Sequence, residues 1–326
     1  MDAQVRPVIS FFGENMKIVF AGTPGFSVPC LQALIACRDV DVVGVVSQPD
    51  RKSGRGMKLQ PSAVKQAALD AGIDVITPER LRDNTEALAW LESKQADMLV
   101  VVAFGMILPK SWLEAVKIAA VNVHASLLPR WRGAAPIERA LLAGDNQTGV
   151  CIMQMEEGLD TGGVYACRTL PIDETTTGSE LWFALAPLGA QLLVETLPAI
   201  AAGLQPEPQP AEGITYAAKL SNDERVVDWS QPAASVARVV RCFSPQPGAR
   251  TQAQGKWLKL IVGSVTDQRS TMAAGSVAGT DGALDIVCGD GALYRIESLQ
   301  PEGKKAMSAA DYLRGASLKV GDALTT

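Results

Sequence analysis

The chain has 326 residues, 47% of them apolar and 20% charged, with a formal net charge of −5 and a single histidine, His124. That length suits two domains with sizeable cores. Its six cysteines (Cys30, Cys37, Cys151, Cys167, Cys242 and Cys288) form no Cys-x-x-Cys pair, so beside one histidine they exclude a readable zinc or iron–sulfur site and read as reduced, mostly buried thiols of a cytoplasmic protein.

Charge is unevenly spread. Residues 1–65 carry three more basic than acidic side chains, residues 66–218 carry ten more acidic than basic, and residues 219–326 return to an excess of two basic. A polyanionic partner would meet the two ends and avoid the centre, although a solvated face explains either end taken alone.

The first fifteen residues place Asp2, Arg6, Pro7 and Glu14 around a brief apolar Val8-Ile9-Ser10-Phe11-Phe12. This is too short and polar for a signal peptide or membrane span, and it reads as a disordered leader or a misplaced start codon before a fold that opens at Met16. Lys17–Ala21 is a buried strand, Gly22-Thr23-Pro24-Gly25 a tight turn and Phe26–Ala36 an apolar helix. Gly22-x-x-Gly25 lacks the third glycine and the spacing of a dinucleotide fingerprint. Asp41–Ser47 is a second strand running into a long polar stretch, Gln48 to Lys58, with Arg51, Lys52, Arg55 and Lys58 spaced by Gly54 and Gly56. Such a loop is fit to close on a phosphate-bearing partner, and composition equally allows a solvated connection.

Helices near Ser62–Ala71 and Thr85–Ser93 alternate with strands at Ile73–Ile76 and Asp97–Ala103, a pattern that predicts an α/β, doubly wound and mostly parallel sheet. Phe104-Gly105-Met106-Ile107-Leu108-Pro109 leaves the last strand as an apolar loop, either core cover or the wall of a pocket for a flat ring. The apolar run from Ile118 to Val123 is a short strand closed by His124. Asn122 and His124 stand two apart, on one side of that strand near its carboxyl end, where open parallel sheets bind ligands. A structural Asn–His pair capping the strand is the other reading of these two residues.

A helix over about Ala135–Ala143, stopped by Gly144, and a strand at Thr148–Met153 lead to a loop carrying Asp160, 36 residues after His124. A neighbouring strand-end loop can carry that carboxylate back to the imidazole, where it would fix the tautomer and favour imidazolium, although an Asp before Thr-Gly is also an ordinary turn residue. Thr177 with Glu180 forms a capping-box pattern for a helix running toward Ala202, with Leu181, Leu185, Leu188 and Leu192 on one stripe and Pro187 as a kink or break. Alternate prolines Pro206, Pro208 and Pro210 then favour an extended linker. The expected organisation is a leader over 1–15, an α/β domain over 16–203, a linker over 204–219 and a domain over 220–326. In the last, Trp257–Val262, Ala283–Cys288 and Ala292–Ser298 alternate around Gly289-Asp290-Gly291, as in a small antiparallel barrel, with Lys304 and Lys305 in its closing loop.

Taken together, Ala21-Gly22-Thr23-Pro24, Gln48-Pro49-Asp50-Arg51, Gly54-Arg55-Gly56, the run from Asn122 through His124, Ser126, Leu127, Leu128 and Pro129 to Ile137, and Gly158-Leu159-Asp160-Thr161-Gly162 resemble the 10-formyltetrahydrofolate-dependent formyltransferase family. Arg130-Trp131-Arg132-Gly133-Ala134-Ala135-Pro136-Ile137 and Gly303–Ser308 narrow the resemblance to the branch that formylates methionyl-tRNA. Met57, and Phe243-Ser244-Pro245-Gln246-Pro247 in place of Asn-Pro-Trp-Pro, depart from the family pattern.

The resemblance implies a Rossmann-like catalytic domain and an OB-like C-terminal barrel that contacts tRNA. It implies Asn122, His124 and Asp160 as catalytic residues, and Phe104, Met106, Ile107, Leu108, Ser126, Leu127, Leu128 and Pro129 around the folate. Arg51, Lys52, Arg55, Lys58, Lys304 and Lys305 would face charged initiator tRNA. The formyl group of 10-formyltetrahydrofolate would pass to the amine of esterified methionine, in a cytoplasmic monomer that needs neither metal nor membrane. A formyltransferase for a ribonucleotide or an amino sugar, or a hydrolase of the same folate, are the rival readings.

Overall fold

A computed structural model describes residues 15–53 and 56–325. The leader expected before Met16 lies, but for Asn15, outside the described residues, as do Gly54 and Arg55.

The chain opens with β1 (Met16–Gly22), α1 (Val28–Ala36), β2 (Val40–Val46), β3 (Arg51–Ser53), β4 (Lys58–Gln60), α2 (Ala63–Asp70), β5 (Val75–Ile76) and α3 (Thr85–Ser93). It continues through β6 (Met98–Val102), α4 (Lys110–Glu114), β7 (Ala119–His124), β8 (Arg132–Gly133), α5 (Pro136–Ala143), β9 (Gln147–Gln154), β10 (Val164–Pro171), α6 (Gly178–Ala201) and β11 (Tyr216–Ala217). The remainder is α7 (Ala233–Phe243), β12 (Ala249–Ala253), β13 (Lys256–Arg269), β14 (Val277–Gly279), β15 (Leu284–Val287), β16 (Ala292–Pro301), β17 (Met307–Ser308), α8 (Ala309–Gly315) and β18 (Leu324–Thr325).

By contact, these elements fall into two compact units. The first holds residues up to Ala134, Thr148–Leu170 and Phe183–Ala217, and the second holds Ala135–Gln147, Pro171–Trp182 and Ala218–Thr326.

The first unit is Rossmann-like, built on a sheet of order β10-β9-β7-β6-β1-β2-β5. The strands from β5 to β7 run parallel, and β9 turns antiparallel to β7, placing Cys151 opposite His124. Burial explains the centre: every residue of β6 is buried, as are Ile18 to Ala21 on β1, which is how a strand covered on both faces reads. Ser62 and Asn84 cap α2 and α3 by accepting from the backbone N–H of Lys65 and Ala87, each at 3.0 Å.

Three differences from the sequence reading have physical causes. The helix α6 runs unbroken through Pro187 and Pro198, so Pro187 does not end it. It is long and apolar enough by composition to cross a membrane, yet Leu185, Ala190, Leu193, Leu197 and Ile200 are buried here. That packing supplies the stability the prolines remove. The basic stretch after β2 is not a plain loop but a hairpin, with Lys52 opposite Leu59.

The third difference is that Cys151 and Cys167 are not reduced thiols. They face each other on the adjacent strands β9 and β10 as a disulfide, Cα to Cα 4.1 Å, while Cys30, Cys37, Cys242 and Cys288 are free. Because β10 is an edge strand with largely half-exposed residues, its apolar pattern is weak, and the cross-strand pairing is invisible without it.

The second unit carries a curled antiparallel sheet of order β14-β15-β16-β13-β12-β18, with β17 added beside β16. Its three predicted strands are present, and β13 is longer than predicted, reaching Arg269. The amphipathic α7 buries Val236, Val240 and Phe243. The predicted capping box forms at the start of α6: Thr177 Oγ1 accepts from the Glu180 backbone at 3.2 Å, and the Glu180 carboxylate accepts from the Thr177 backbone at 2.8 Å. Arg295 donates twice to the buried Asp285 across β15 and β16, at 2.8 and 2.9 Å.

The disulfide yields a direct count. Thiol titration of the denatured, unreduced protein is expected to find four reactive cysteines, rising to six after reduction; six before reduction would show Cys151 and Cys167 to be free.

Candidate active site at the end of β7

Alternation along β7 sends the side chains of Asn122 and His124 to one side, and the loop between β9 and β10 folds over that side. The loop brings Asp160 to both. Asn122 Nδ2 donates to Asp160 Oδ1 at 3.4 Å, and His124 Nδ1 lies 3.6 Å from Asp160 Oδ2. The imidazole is buried, and the carboxylate is 15% exposed.

A carboxylate this withdrawn from water needs donors, and its best one is backbone: Gly133 N–H donates to Oδ2 at 2.8 Å. The other imidazole nitrogen, Nε2, is 2.9 Å from the Trp131 carbonyl oxygen. A carbonyl can only accept, so Nε2 carries the hydrogen; in the neutral ring this is the Nε2–H tautomer, and Nδ1 then faces Asp160 as an acceptor with no hydrogen to donate, at 3.6 Å and beyond hydrogen-bond distance. Beside the Asp160 carboxylate, expected to fix the tautomer and favour imidazolium, the ring has a second and shorter contact from a backbone group of the following turn, 2.9 Å against 3.6 Å.

That turn, residues 126–134, is held in several ways. Ser126 Oγ donates to the Arg130 carbonyl at 2.6 Å, and Arg130 N–H returns to Leu127 O at 3.1 Å. Trp131 sits in the left-handed region at φ 64° with the Arg130 guanidinium over its ring at 4.4 Å. Gly133 has φ 120°, and a Cβ there would meet the Ala217 carbonyl at 2.8 Å, so glycine is required where the chain offers its N–H to Asp160.

From the far side, residues 207–217 strap this turn down. Thr215 Oγ1 accepts from Trp131 N–H at 2.9 Å, Thr215 O accepts from Arg132 N–H at 2.9 Å, and Ala217 O accepts from Ala134 N–H at 2.8 Å. The buried Arg132 guanidinium donates to Gln209 Oε1 from Nε and Nη2, at 3.0 and 2.8 Å. The Pro-rich segment expected as an extended, semi-rigid linker is thus bonded to this turn.

The residues expected around a folate divide by burial. Phe104 and Leu108 are spent on a core cluster with Val101, Leu91 and Trp112. Met106 is half-buried against that cluster and Ile107 is 83% exposed, so these two present the loop's apolar surface. Ser126 is fully buried in the turn, whereas Leu127, Leu128 and Pro129 are half-buried on it.

Of the cations, Arg51, Lys52 and Lys58 are exposed on the hairpin. Lys304 and Lys305 are exposed on the turn leaving β16 in the second unit, while Arg55 lies outside the described residues. A cavity of about 360 Å³ lined by Gln48, Pro49, Asp50, Arg51, Glu79, Gly105 and Met106 joins the hairpin's base to the apolar loop. Among the described residues no three metal-ligating side chains gather.

Sequence reasoning missed Trp131 O, Gly133 N–H, Thr215 and Gln209. Backbone groups leave no residue-type signal, and Gln209 lies between prolines with no periodicity to mark it. Arg132 stands inside a quoted motif, which was the one available signal.

A family model described as formyl transferase matches residues 16–197, and one described as formyl transferase, C-terminal domain, matches residues 219–317. The methionyl-tRNA formyltransferase of Magnetococcus marinus is 50% identical over 309 residues, 94% of this chain and 98% of that one. That of Xanthomonas campestris pv. campestris is 51% identical over 301 residues, 91% and 97% of the two chains. Among solved structures, an N-formyltransferase from Helicobacter canadensis, in complex with folinic acid and dTDP-3-aminofucose, has a TM-score of 0.64 at 18% identity, covering 88% of this chain and 99% of that one. HypX from Aquifex aeolicus, in complex with tetrahydrofolic acid, has a TM-score of 0.58 at 19% identity, covering 92% and 47%. At those identities the two structures speak for the fold.

With a single histidine, the ring is open to direct observation. Two-bond ¹H–¹⁵N correlation spectra of histidine-labelled protein, recorded where the ring is neutral, are expected to show the Nε2–H tautomer. An Nδ1–H pattern would mean that Trp131 O does not set the ring.

Proposed function

We infer, from a chain that belongs to the formyl transferase family through both of its matched regions, that it transfers the formyl group of 10-formyltetrahydrofolate to the free amine of methionine esterified to initiator tRNA. The observation that carries the chemistry is the convergence of Asn122, His124 and Asp160 within one unit at the end of β7. Identities near 50% over almost the full length with methionyl-tRNA formyltransferases favour a charged tRNA over a small amine as acceptor.

Bound 10-formyltetrahydrofolate supplies the formyl carbon, and attack on it by the amine develops negative charge on the formyl oxygen. Asn122 is half-buried and has given only one amide hydrogen, at the long distance of 3.4 Å, so the other is available to that oxygen. His124 polarises the same oxygen by sharing its Nε2–H with it or by letting go of Trp131 O. Asp160 stays beside the ring as it changes partner, takes the amine's proton through water and returns it to N10 of the folate as the tetrahedral adduct collapses, the C–N10 bond breaks and tetrahydrofolate leaves. The exposed Ile107 and half-buried Met106 offer apolar surface for the flat pterin ring, and Leu127, Leu128 and Pro129 border it. No step needs a covalent intermediate, since Ser126 has spent its hydroxyl hydrogen on the Arg130 carbonyl.

For the nucleic acid, Arg51, Lys52, Arg55 and Lys58 contact the acceptor end, and Lys304 and Lys305 contact phosphates elsewhere on the tRNA. A cytoplasmic setting follows from that substrate, and one chain contains every residue the reading uses.

The test compares formylation of charged initiator tRNA with formylation of aminoribonucleotides and amino sugars; faster transfer to a small amine would overturn the acceptor assignment. His124→Ala is expected to lower turnover at least about 100-fold, and Asn122→Ala about 10²–10³-fold with little change in folate affinity. A defect of Asn122→Ala confined to folate affinity would make it a binding residue.

Counterion release supplies a second check. Removing one phosphate contact makes the dependence of affinity on salt shallower by roughly one unit. Lys52→Ala and Arg55→Ala are each expected to raise the Michaelis constant for charged tRNA and to flatten its salt dependence. Wild-type behaviour of both at every salt concentration would make the hairpin a solvated connection.

A further inference from the structure

We propose that Gln209 is a positioning residue for formyl transfer, acting through Asp160. The idea rests on the formyl-transfer reading above for its rate measurements and on geometry for its residue.

The Gln209 amide spends its full hydrogen-bonding capacity. Nε2 donates to Asp160 O and to Gly162 O, both at 2.8 Å, while Oε1 accepts from Arg132 Nε at 3.0 Å and from Nη2 at 2.8 Å. The amide orientation is dictated, because a guanidinium can only donate and a carbonyl can only accept. One side chain therefore ties together the loop bearing Asp160 and the turn that supplies Asp160 with its donor.

Asp160 stands at φ 51°, a left-handed conformation that a side-chain-bearing residue keeps only where its surroundings over-determine it. Gln209 holds the carbonyl of that same residue, and Gly133 N–H holds its carboxylate. With both ends fixed, Oδ1 meets Asn122 and Oδ2 meets His124. Gln209 is itself anchored by Glu207, whose N–H and C=O bond Val164 O and N–H at 2.9 and 2.8 Å. Without the amide, two carbonyls and a buried guanidinium lose partners together, and the Asp160 loop is free to turn its carboxylate away from the strand. Misplacement of a reacting group by about 1 Å can cost on the order of 100-fold in rate.

The experiment is a double-mutant cycle on the full chain, read as turnover at saturating 10-formyltetrahydrofolate and charged tRNA. Gln209→Leu is expected to slow turnover about 10- to 100-fold with Michaelis constants within about threefold of wild type. In an Asp160→Asn background the same change is expected to cost less than about threefold more, because the residue it acts through is already disabled. Gln209→Glu keeps the acceptor for Arg132 but has no hydrogen for the two carbonyls, and is expected to match Gln209→Leu; this arm stands if the leucine variant does not fold.

Wild-type turnover in Gln209→Leu, a loss confined to Michaelis constants, a loss of equal size in the Asp160→Asn background, or failure of both variants to fold would each overturn the proposal. The His124 imidazole signals give a readout that needs no substrate. They are expected to shift in Gln209→Leu, so a failed acceptor assignment remains distinguishable from a failed role for Gln209.

Discussion

A carboxylate largely withdrawn from water beside a buried imidazole is the constraint on which the first unit depends. Burying Asp160 without donors would cost several kcal/mol, and one neutral amide at 3.4 Å does not offset that. The compensating donor is Gly133 N–H, which exists as a free donor only because the chain leaves β7 in a turn rather than a longer strand. The turn in turn needs Trp131 and Gly133 at positive φ, and those conformations are retained because Thr215 and Ala217 bond the backbone on either side. The site is thus an agreement among four segments, in which β7 contributes Asn122 and His124, the loop after β9 contributes Asp160, and the turn and the segment over residues 207–217 fix where they point.

The sheet's change of direction makes this possible. Because β9 is antiparallel to β7, it ends beside Val121, and the loop that follows must fold back along β7 before β10 begins. A parallel β9 would have put its following loop beyond the carboxyl end of β7, where it would pass above the imidazole rather than alongside Asn122 and His124. The same arrangement puts Cys151 opposite His124 and beside Cys167, so the disulfide braces the edge of the sheet next to the site. Closing a loop of this size removes about 3 kcal/mol of chain entropy from the unfolded state.

What could be read from the sequence was whatever residue type and period encode. The strand–turn–helix from Met16, the buried strands, the capping box at Thr177 and the pairing of Asn122 with His124 on one side all follow from alternation, caps and apolar runs. That Asp160 reaches them was readable only as a possibility of spacing, since a helix between two strands is compatible with either strand direction. The edge strand β10 escaped because its residues alternate around half-exposure, and the disulfide escaped with it. The basic stretch from Arg51 reads as a loop because three-residue strands are too short to show a period. Prolines 206, 208 and 210 suggested a linker through their stiffness, but an extended chain is also what can lie along a loop and bond it residue by residue.

The free enzyme's hydrogen bonds also constrain how the imidazole can act. Nε2–H is committed to Trp131 O at 2.9 Å, a normal bond to a neutral acceptor, worth about 0.5–1.5 kcal/mol net. An oxygen gaining charge is the stronger acceptor, since bonds to ionised groups are roughly twice as strong. The exchange of Trp131 O for the formyl oxygen is therefore close to neutral while the substrate carbonyl is uncharged and becomes favourable as charge develops. On the proposed mechanism His124 would then stabilise the transition state more than the bound substrate, which is the difference that accelerates a reaction. On the proposed mechanism the Trp131 carbonyl would hold the Nε2–H with a bond weak enough to give up, while Asp160, fixed by the Gly133 N–H at 2.8 Å, would stay beside the ring.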